Sequence, residues 1–241
     1  MSLASLRSAC ERVLHDSWCG THTGLSPAHK DARQALNSAL AAVGWAHLNQ
    51  ARAWQELQHW LLPGEGGQLG VQTAVVPARS RLIDSAALTP PFWASAARRV
   101  VEVAGLEEEL EPLLPALEAL HSALASEHDP LSWGLMAVRT PAQAGSVGSP
   151  LWEVVSRDDT GLCHVYDPFS NALWARAESD LAWLAEQVGW RSQAERRFAA
   201  IVHGLEQRLW DAELGHFVHF DVQAERVLPL DGIGAYAPAW C

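Results

Sequence analysis

The sequence predicts an all-α fold of about seven helices, paired as antiparallel hairpins in part of a toroid, with a short β-hairpin near the C-terminus. Apolar residues recur at helical spacing along most of the 241 residues, and the connections alternate between short and long. A solenoid would also stack hairpins. Long irregular loops after alternate helices instead favour a toroid, where such loops gather at one mouth and carry a site. A late run, HFVHFDVQAERVLPL, alternates apolar and polar residues and supplies the hairpin.

The first helix, 3–15, places Leu3, Leu6, Cys10, Val13 and Leu14 on one stripe. A Gly/Thr/Pro loop at 19–27 leads into a second helix at 31–48, whose string ALNSALAAVGWA is small enough for close helix approach. A third, 50–62, stops at Pro63-Gly64. Residues 64–88 carry several Val and few helix signals and read as an extended excursion. Thr89-Pro90-Pro91 opens the fourth helix, with Thr as cap and Pro in the first turn, and Gly105 closes it. Residues 106–127 form a fifth, bounded or kinked by Pro112 and Pro115. Residues 132–167, rich in Gly, Pro and Ser, are the least regular. Two amphipathic helices, 169–188 and 192–211, meet at Gly189.

A formal net charge of −11 argues against nucleic acid, which needs clustered Lys and Arg. The nearest cluster, Arg191, Arg196 and Arg197, reads as the solvated face of a helix. No run of about 18 apolar residues spans a membrane. The N-terminus lacks a signal-peptide core, so a cytoplasmic location is expected. The four Cys, at 10, 19, 163 and 241, form no C-x-x-C pair, and His216 and His219, three apart on a strand, point to opposite faces. No metal and no other cofactor is therefore expected. GEGGQLG lacks the Lys-Ser/Thr ending of a phosphate loop, and no G-x-S-x-G elbow occurs. Twelve Trp serve either as core filling or as platforms that stack on the apolar faces of sugars.

Five strings in order carry a resemblance. They are VLHDSWCGTHTGLSPA, QALNSALAAVGWAHLNQARAWQEL, LTPPFWASAARRV, YDPFSNALWARAESDLAWLAEQVG and LEQRLWDAELGHFVHFD. Together they resemble the family 63-like glycoside hydrolases, a group that includes mannosylglycerate hydrolase-like enzymes and oligosaccharide-trimming α-glucosidases, with trehalases as more distant relatives. The resemblance implies an (α/α)6 barrel of the six-hairpin glycosidase kind and a role in carbohydrate metabolism, on an α-glucoside or α-mannoside. It also implies a saccharide-binding set of Gln34, Asn37, Trp45, Gly145, Ser149 and Trp152.

Two departures bear on activity. The family's general-acid motif reads Gly-x-Asp-Asn-Ser-Pro-x-Trp-Asp, and here Gly145-Ser146-Val147-Gly148-Ser149-Pro150-Leu151-Trp152-Glu153 stands in its place. Val147 fills the acid's slot, Asn37 replaces an earlier Asp, and Leu36 replaces the neighbouring Trp. The family's catalytic base lies in a segment beyond Cys241, so residues 1–241 read as a single barrel-like domain incomplete at its C-terminus. Glycoside hydrolysis takes two carboxyl groups, roughly 6.5–9.5 Å apart in an inverting enzyme. Valine donates no proton, so the resemblance implies a glycosidase-like protein that is inactive or truncated.

Glu153 is the one nearby substitute acid; Asp158 and Asp159 read as a solvated turn before Gly161, and Asp167 as a helix cap before Pro168. The expected partner is a small saccharide or glycoside, with no nucleic acid and no membrane. Self-association through uncovered helix faces is also expected. A non-catalytic carbohydrate-binding remnant and a helical interaction scaffold remain as alternatives.

Overall fold

In the computed structural model, described residues are 3–20, 22–24, 35–62, 92–105, 108–141, 143–144, 148–230 and 232–240. Seven α-helices longer than one turn appear among them: α1 (Leu3–Ser17), α2 (Ala35–Ala46), α3 (Gln50–Leu61), α4 (Phe92–Ala104), α5 (Leu110–Glu127), α7 (Pro168–Gln187) and α8 (Ala194–Gly204). A single turn, α6 (Leu151–Val154), sits in the middle of the irregular stretch. A π-helical turn, Leu205–Leu209, and a 3-10 helix, Ile233–Trp240, complete the helical parts. The excursion expected at 64–88 lies outside the described residues.

The helices form two rows. α2 packs on α4 and α4 on α7, while α3, α5 and α8 back them in a second row. The small string of α2 explains its close packing: Ala39, Ala41, Ala42 and Ala46 are buried together with Trp45. Asn49 caps α3 by accepting the Arg52 N–H at 3.1 Å, and α3 then buries Trp54, Leu57 and Trp60. Helix α5 starts at Leu110 and runs through both prolines that were expected to bound or kink it. Pro112 falls in the first turn, where its missing N–H has no partner to lose; Pro115, a turn further in, forgoes one bond.

Two apolar clusters meet on α7. Its C-terminal half, through Ala177, Leu181 and Leu184, joins the core of α2–α5. Its N-terminal half, through Trp174 and Ala175, joins a second cluster under the strands. Those strands form an antiparallel sheet in the order β1 (Ala137–Val138), β2 (Val165–Tyr166), β5 (His219–Asp221), β6 (Arg226–Leu228). A separate ladder joins β3 (Trp210–Asp211) to β4 (His216–Phe217).

The expected hairpin near the C-terminus is present as β5–β6, and the run before it belongs to a second pair. Asp211 makes that first turn by accepting the Glu213 and Leu214 N–H groups, and Gly215 at φ +70° completes it. His216 and His219 therefore sit in different ladders, and both are buried rather than on opposite faces of one strand. The two-residue strands β1 and β2 are too short for alternation to show in sequence.

Helix α8 and the 133–135 loop touch backbone to backbone. Gly134, at φ +75°, lies against the Ala200 carbonyl, and a Cβ on Gly204 would collide with Trp133 O and stand 2.8 Å from Leu135 Cγ. Gly204→Ala is expected to cost about 1–3 kcal/mol through overpacking, read from denaturant midpoints. An unchanged midpoint would show that the loop yields freely.

Candidate functional site

The resemblance directs attention to α6 and the N-terminal half of α2. Ser149 Oγ accepts the Leu151 N–H at 3.3 Å, so its hydroxyl helps start α6. Trp152 is buried, and its carbonyl accepts from Arg157 Nη2 at 3.3 Å. Glu153, on the same turn, is exposed, and its carboxylate has no partner among the described residues. Gly145 and Val147 lie outside the described residues, as does Gln34.

Asn37 is exposed in the first turn of α2 and lines a groove of about 500 Å³ between α2 and α1. Trp45, two turns later, is fully enclosed. Its Nε1 donates to Thr23 Oγ1 at 2.9 Å, His15 and Trp18 meet its ring edge-on, and the Arg52 guanidinium covers a face at 4.6 Å. The structure thus gives Trp45 protein partners in place of an open stacking face. Ser149, Trp152 and Glu153 share one segment, and Asn37 and Trp45 share another; no described hydrogen bond joins the two.

Carboxylates around the sheet are committed to local structure. Asp167 caps α7 by accepting the Ser170 N–H at 2.9 Å and the Ser170 hydroxyl, and it faces His219 Nε2 at 3.1 Å. Burial alone would raise its pKa; the His219 contact and the Ser170 hydrogen bonds overcome that and hold it below the ordinary carboxylate range. Asp158 organises its turn by binding the Thr160 hydroxyl at 2.6 Å, the Thr160 and Leu162 N–H groups, and His164. The Thr160 hydroxyl leads in depressing its pKa.

Asp221 accepts from Ser156 N and Ala224 N, at 2.8 and 3.2 Å. Asp129 takes the Tyr166 hydroxyl at 2.6 Å and the Gly134 N–H at 2.7 Å, and burial followed by this carboxylate pushes the Tyr166 pKa up. Asn171 ties α7 to the loop before β1, accepting from Met136 N at 2.7 Å and donating to Met136 O at 3.0 Å. These groups position β2, α6 and α7 against one another.

The positions of Arg197 and Glu56 differ from what the sequence suggested. Arg197 was expected in solvent with Arg191 and Arg196. It instead inserts between α5, α7 and α8, its Nε on Glu178 Oε1 at 2.9 Å and its Nη1 on Glu118 Oε1 at 2.6 Å. The available signal was its spacing: residue 197 sits at helical intervals from buried Ala194 and Ile201. Glu56, on α3, is fully buried and accepts from Thr23 N at 2.6 Å and Thr23 Oγ1 at 2.9 Å. Burial raises its pKa to about 7, against the opposing pull of the Ser38 hydroxyl and Thr23. Among the described residues, no group of three or more His, Cys, Asp or Glu could hold a metal ion, and no helix is long and apolar enough to cross a membrane.

The family described as mannosylglycerate hydrolase MGH1-like glycoside hydrolase domain matches residues 34–241. A mannosylglycerate hydrolase from Rubrobacter radiotolerans is 25% identical over 292 residues, covering 90% of this chain and 66% of that protein. The chain thus spans just under two thirds of that relative's length. A match longer than this chain's 241 residues means that the relative carries internal segments with no counterpart here. The crystal structure of the family 63 mannosylglycerate hydrolase from Thermus thermophilus with Tris is similar at a TM-score of 0.78 and 23% identity, covering 97% of this chain and 72% of that one. Its complex with glucose is similar at 0.77 and 22% identity, with the same coverage. The fold is accordingly the (α/α)6 type of these glycosidases.

Proposed function

Because the chain belongs to the mannosylglycerate hydrolase MGH1-like glycoside hydrolase family, we propose that it binds a small saccharide or glycoside of the α-glucoside or α-mannoside class with little or no turnover. The observation that carries this reading is Val147, a hydrocarbon in the slot where the family motif supplies its proton donor. General acid–base assistance contributes typically about 10²–10⁴-fold in rate, so its loss leaves little hydrolysis. Support comes from the neighbouring carboxylates: Asp129, Asp158, Asp167 and Asp221 are all engaged in turns, caps or strand contacts. Glu153, one residue past Trp152, has no carboxylate partner among the described residues and is the candidate substitute acid. Ligands to try follow from the relatives, whose Thermus structures hold glucose and D-glycerate.

The test is incubation of the full chain with α-mannosylglycerate, with released mannose and glycerate quantified, beside calorimetric titration with glucose, D-glycerate and the intact glycoside. Expected is binding of at least one of them, with release below that of the Rubrobacter or Thermus relative by about 10²-fold or more. Release at the relatives' rate, abolished by Glu153→Gln, would show that Glu153 has taken over as acid and would overturn the inactive reading. No binding to any of the three would remove the saccharide altogether and leave a helical scaffold.

A further inference from the structure

A thiol and two imidazoles meet beside the loop that follows α1, and none of the three is among the residues assigned to a saccharide. Cys19 Sγ lies 3.1 Å from His22 Nδ1, 3.4 Å from His22 Nε2 and 3.1 Å from the His22 carbonyl oxygen. The His22 ring stacks on His59 of α3, with centroids 4.6 Å apart and planes at 15°. Cys19 is exposed, whereas His22 is only 4% exposed. The sulfur thus stands at the surface with an imidazole behind it.

The backbone holds this pair together. The Cys19 N–H donates to the His22 carbonyl at 3.0 Å, the Gly24 N–H donates to the Ser17 carbonyl at 2.9 Å, and Trp18 bridges to Thr23. Thr23 is anchored in turn: its N–H and hydroxyl donate to Glu56, and Trp45 Nε1 donates to its hydroxyl oxygen. His59 lies on the same helix as Glu56, so α3 fixes both the loop and the ring stacked on His22. No rearrangement of the chain is needed to bring sulfur and imidazole together.

The thiolate, not the thiol, is the attacking form of cysteine. The Cys19 proton has two acceptors in reach: a carbonyl oxygen, which cannot remove it, and an imidazole, which can. A nucleophile within reach of a base, with a third group orienting that base, is the recurring arrangement of activated thiols. The other thiols among the described residues lack it: Cys163 is buried, and Cys10, exposed on α1, makes no hydrogen bond to a histidine.

We propose that Cys19 is a site of reversible S-thiolation by low-molecular-weight disulfides, with His22 as its base and His59 as the group that orients His22. The His22 imidazole takes the thiol proton, and Cys19 Sγ attacks one sulfur of the disulfide. A new S–S bond joins Cys19 to that half. The original S–S bond breaks with its electron pair on the other sulfur, which leaves as a thiolate and recovers the proton from His22. Cys19 is oxidised and the departing half reduced, so the small disulfide is the only oxidant required. Among the described residues Cys19 has no disulfide partner, and the mixed disulfide persists until an outside thiol reverses it.

The test treats the full chain near neutral pH with bis(2-hydroxyethyl) disulfide, an uncharged probe, and follows the adduct on each cysteine by peptide mass spectrometry. The Cys19 adduct is expected to form about tenfold or more faster than the Cys10 adduct in the same sample. His22→Gln should bring the Cys19 rate down to that of Cys10 and leave Cys10 unchanged. Far-ultraviolet circular dichroism, together with a Cys163 that stays unlabelled, shows that this variant is folded. If it is not, the wild-type comparison of Cys19 with Cys10 decides alone. Equal rates at Cys19 and Cys10 in the wild type overturn the proposal, as does a folded His22→Gln chain whose Cys19 reacts undiminished. No saccharide enters the assay, so its outcome is independent of whether the chain binds one.

Discussion

Replacing Arg197 by Leu is expected to lower folding stability by about 3–5 kcal/mol, the usual cost of leaving a buried charge without its partner. Glu178 is fully buried on α7 and receives Arg197 Nε at 2.9 Å and Trp174 Nε1 at 2.9 Å. Buried His121 stands 3.0 Å away without hydrogen-bond alignment. Glu118, on α5, holds the other side of the guanidinium and also accepts from Ser192 Oγ at 2.6 Å. One cation therefore ties α5, α7 and α8. Burial acts against its charge, yet the Glu118 and Glu178 hydrogen bonds raise the Arg197 pKa above its ordinary value.

Without the guanidinium, Glu178 keeps one aligned donor, Trp174 Nε1, beside the unaligned His121. Urea midpoints should show the loss, with Tm falling on the order of 10 °C. The double variant Arg197→Leu/Glu178→Leu should recover much of it, because an apolar pair of similar volume carries no desolvation cost. A single-variant loss under about 1 kcal/mol would place Arg197 among solvent-screened ion pairs instead.

The legible parts of this fold were those written in long periodic segments. α7 and α8 start within two residues of their expected positions, because Asp167-Pro168 and the break at Gly189 are local signals. The sheet was legible only at β5–β6. β1 and β2 hold two residues each, and their pairing depends on Asn171 and Asp129, contacts some 35 residues apart in sequence. Arg197 shows the limit of composition: next to Arg196 it reads as solvated, and only the partners Glu118 and Glu178, from other helices, explain its withdrawal from solvent to 11% side-chain exposure. Trp45 shows the limit of resemblance. Its place in a family motif suggested a sugar platform, but Thr23, Trp18, His15 and Arg52 already occupy its edges and a face. A ring's partners are a tertiary fact that no local string encodes.

Glu56 should make the protein less stable as pH rises from about 4.5 to about 7. Its folded pKa is raised from 4.5 to about 7, chiefly by burial, so the folded state holds the proton more tightly than the unfolded chain does. The corresponding stabilisation is fully present below the unfolded value and is lost as pH climbs through the folded one. Its full size is roughly 3 kcal/mol, from about 1.4 kcal/mol per pKa unit. The geometry fits a protonated acid: Oε2 accepts both Thr23 donors, while Oε1 makes no aligned hydrogen bond and stays free to carry the proton. The substitution Glu56→Gln would keep the accepting oxygen and put an amide where that proton sits. Denaturant midpoints for wild type and Glu56→Gln, taken at intervals from pH 4.5 to 8, isolate this residue because every other titrating group is common to both. The two curves should lie close together at the acid end and separate toward pH 8, with the variant the more stable by up to roughly 3 kcal/mol. Parallel curves across that range would mean that Glu56 carries its charge inside the fold at no cost, and the assignment of its proton would fail.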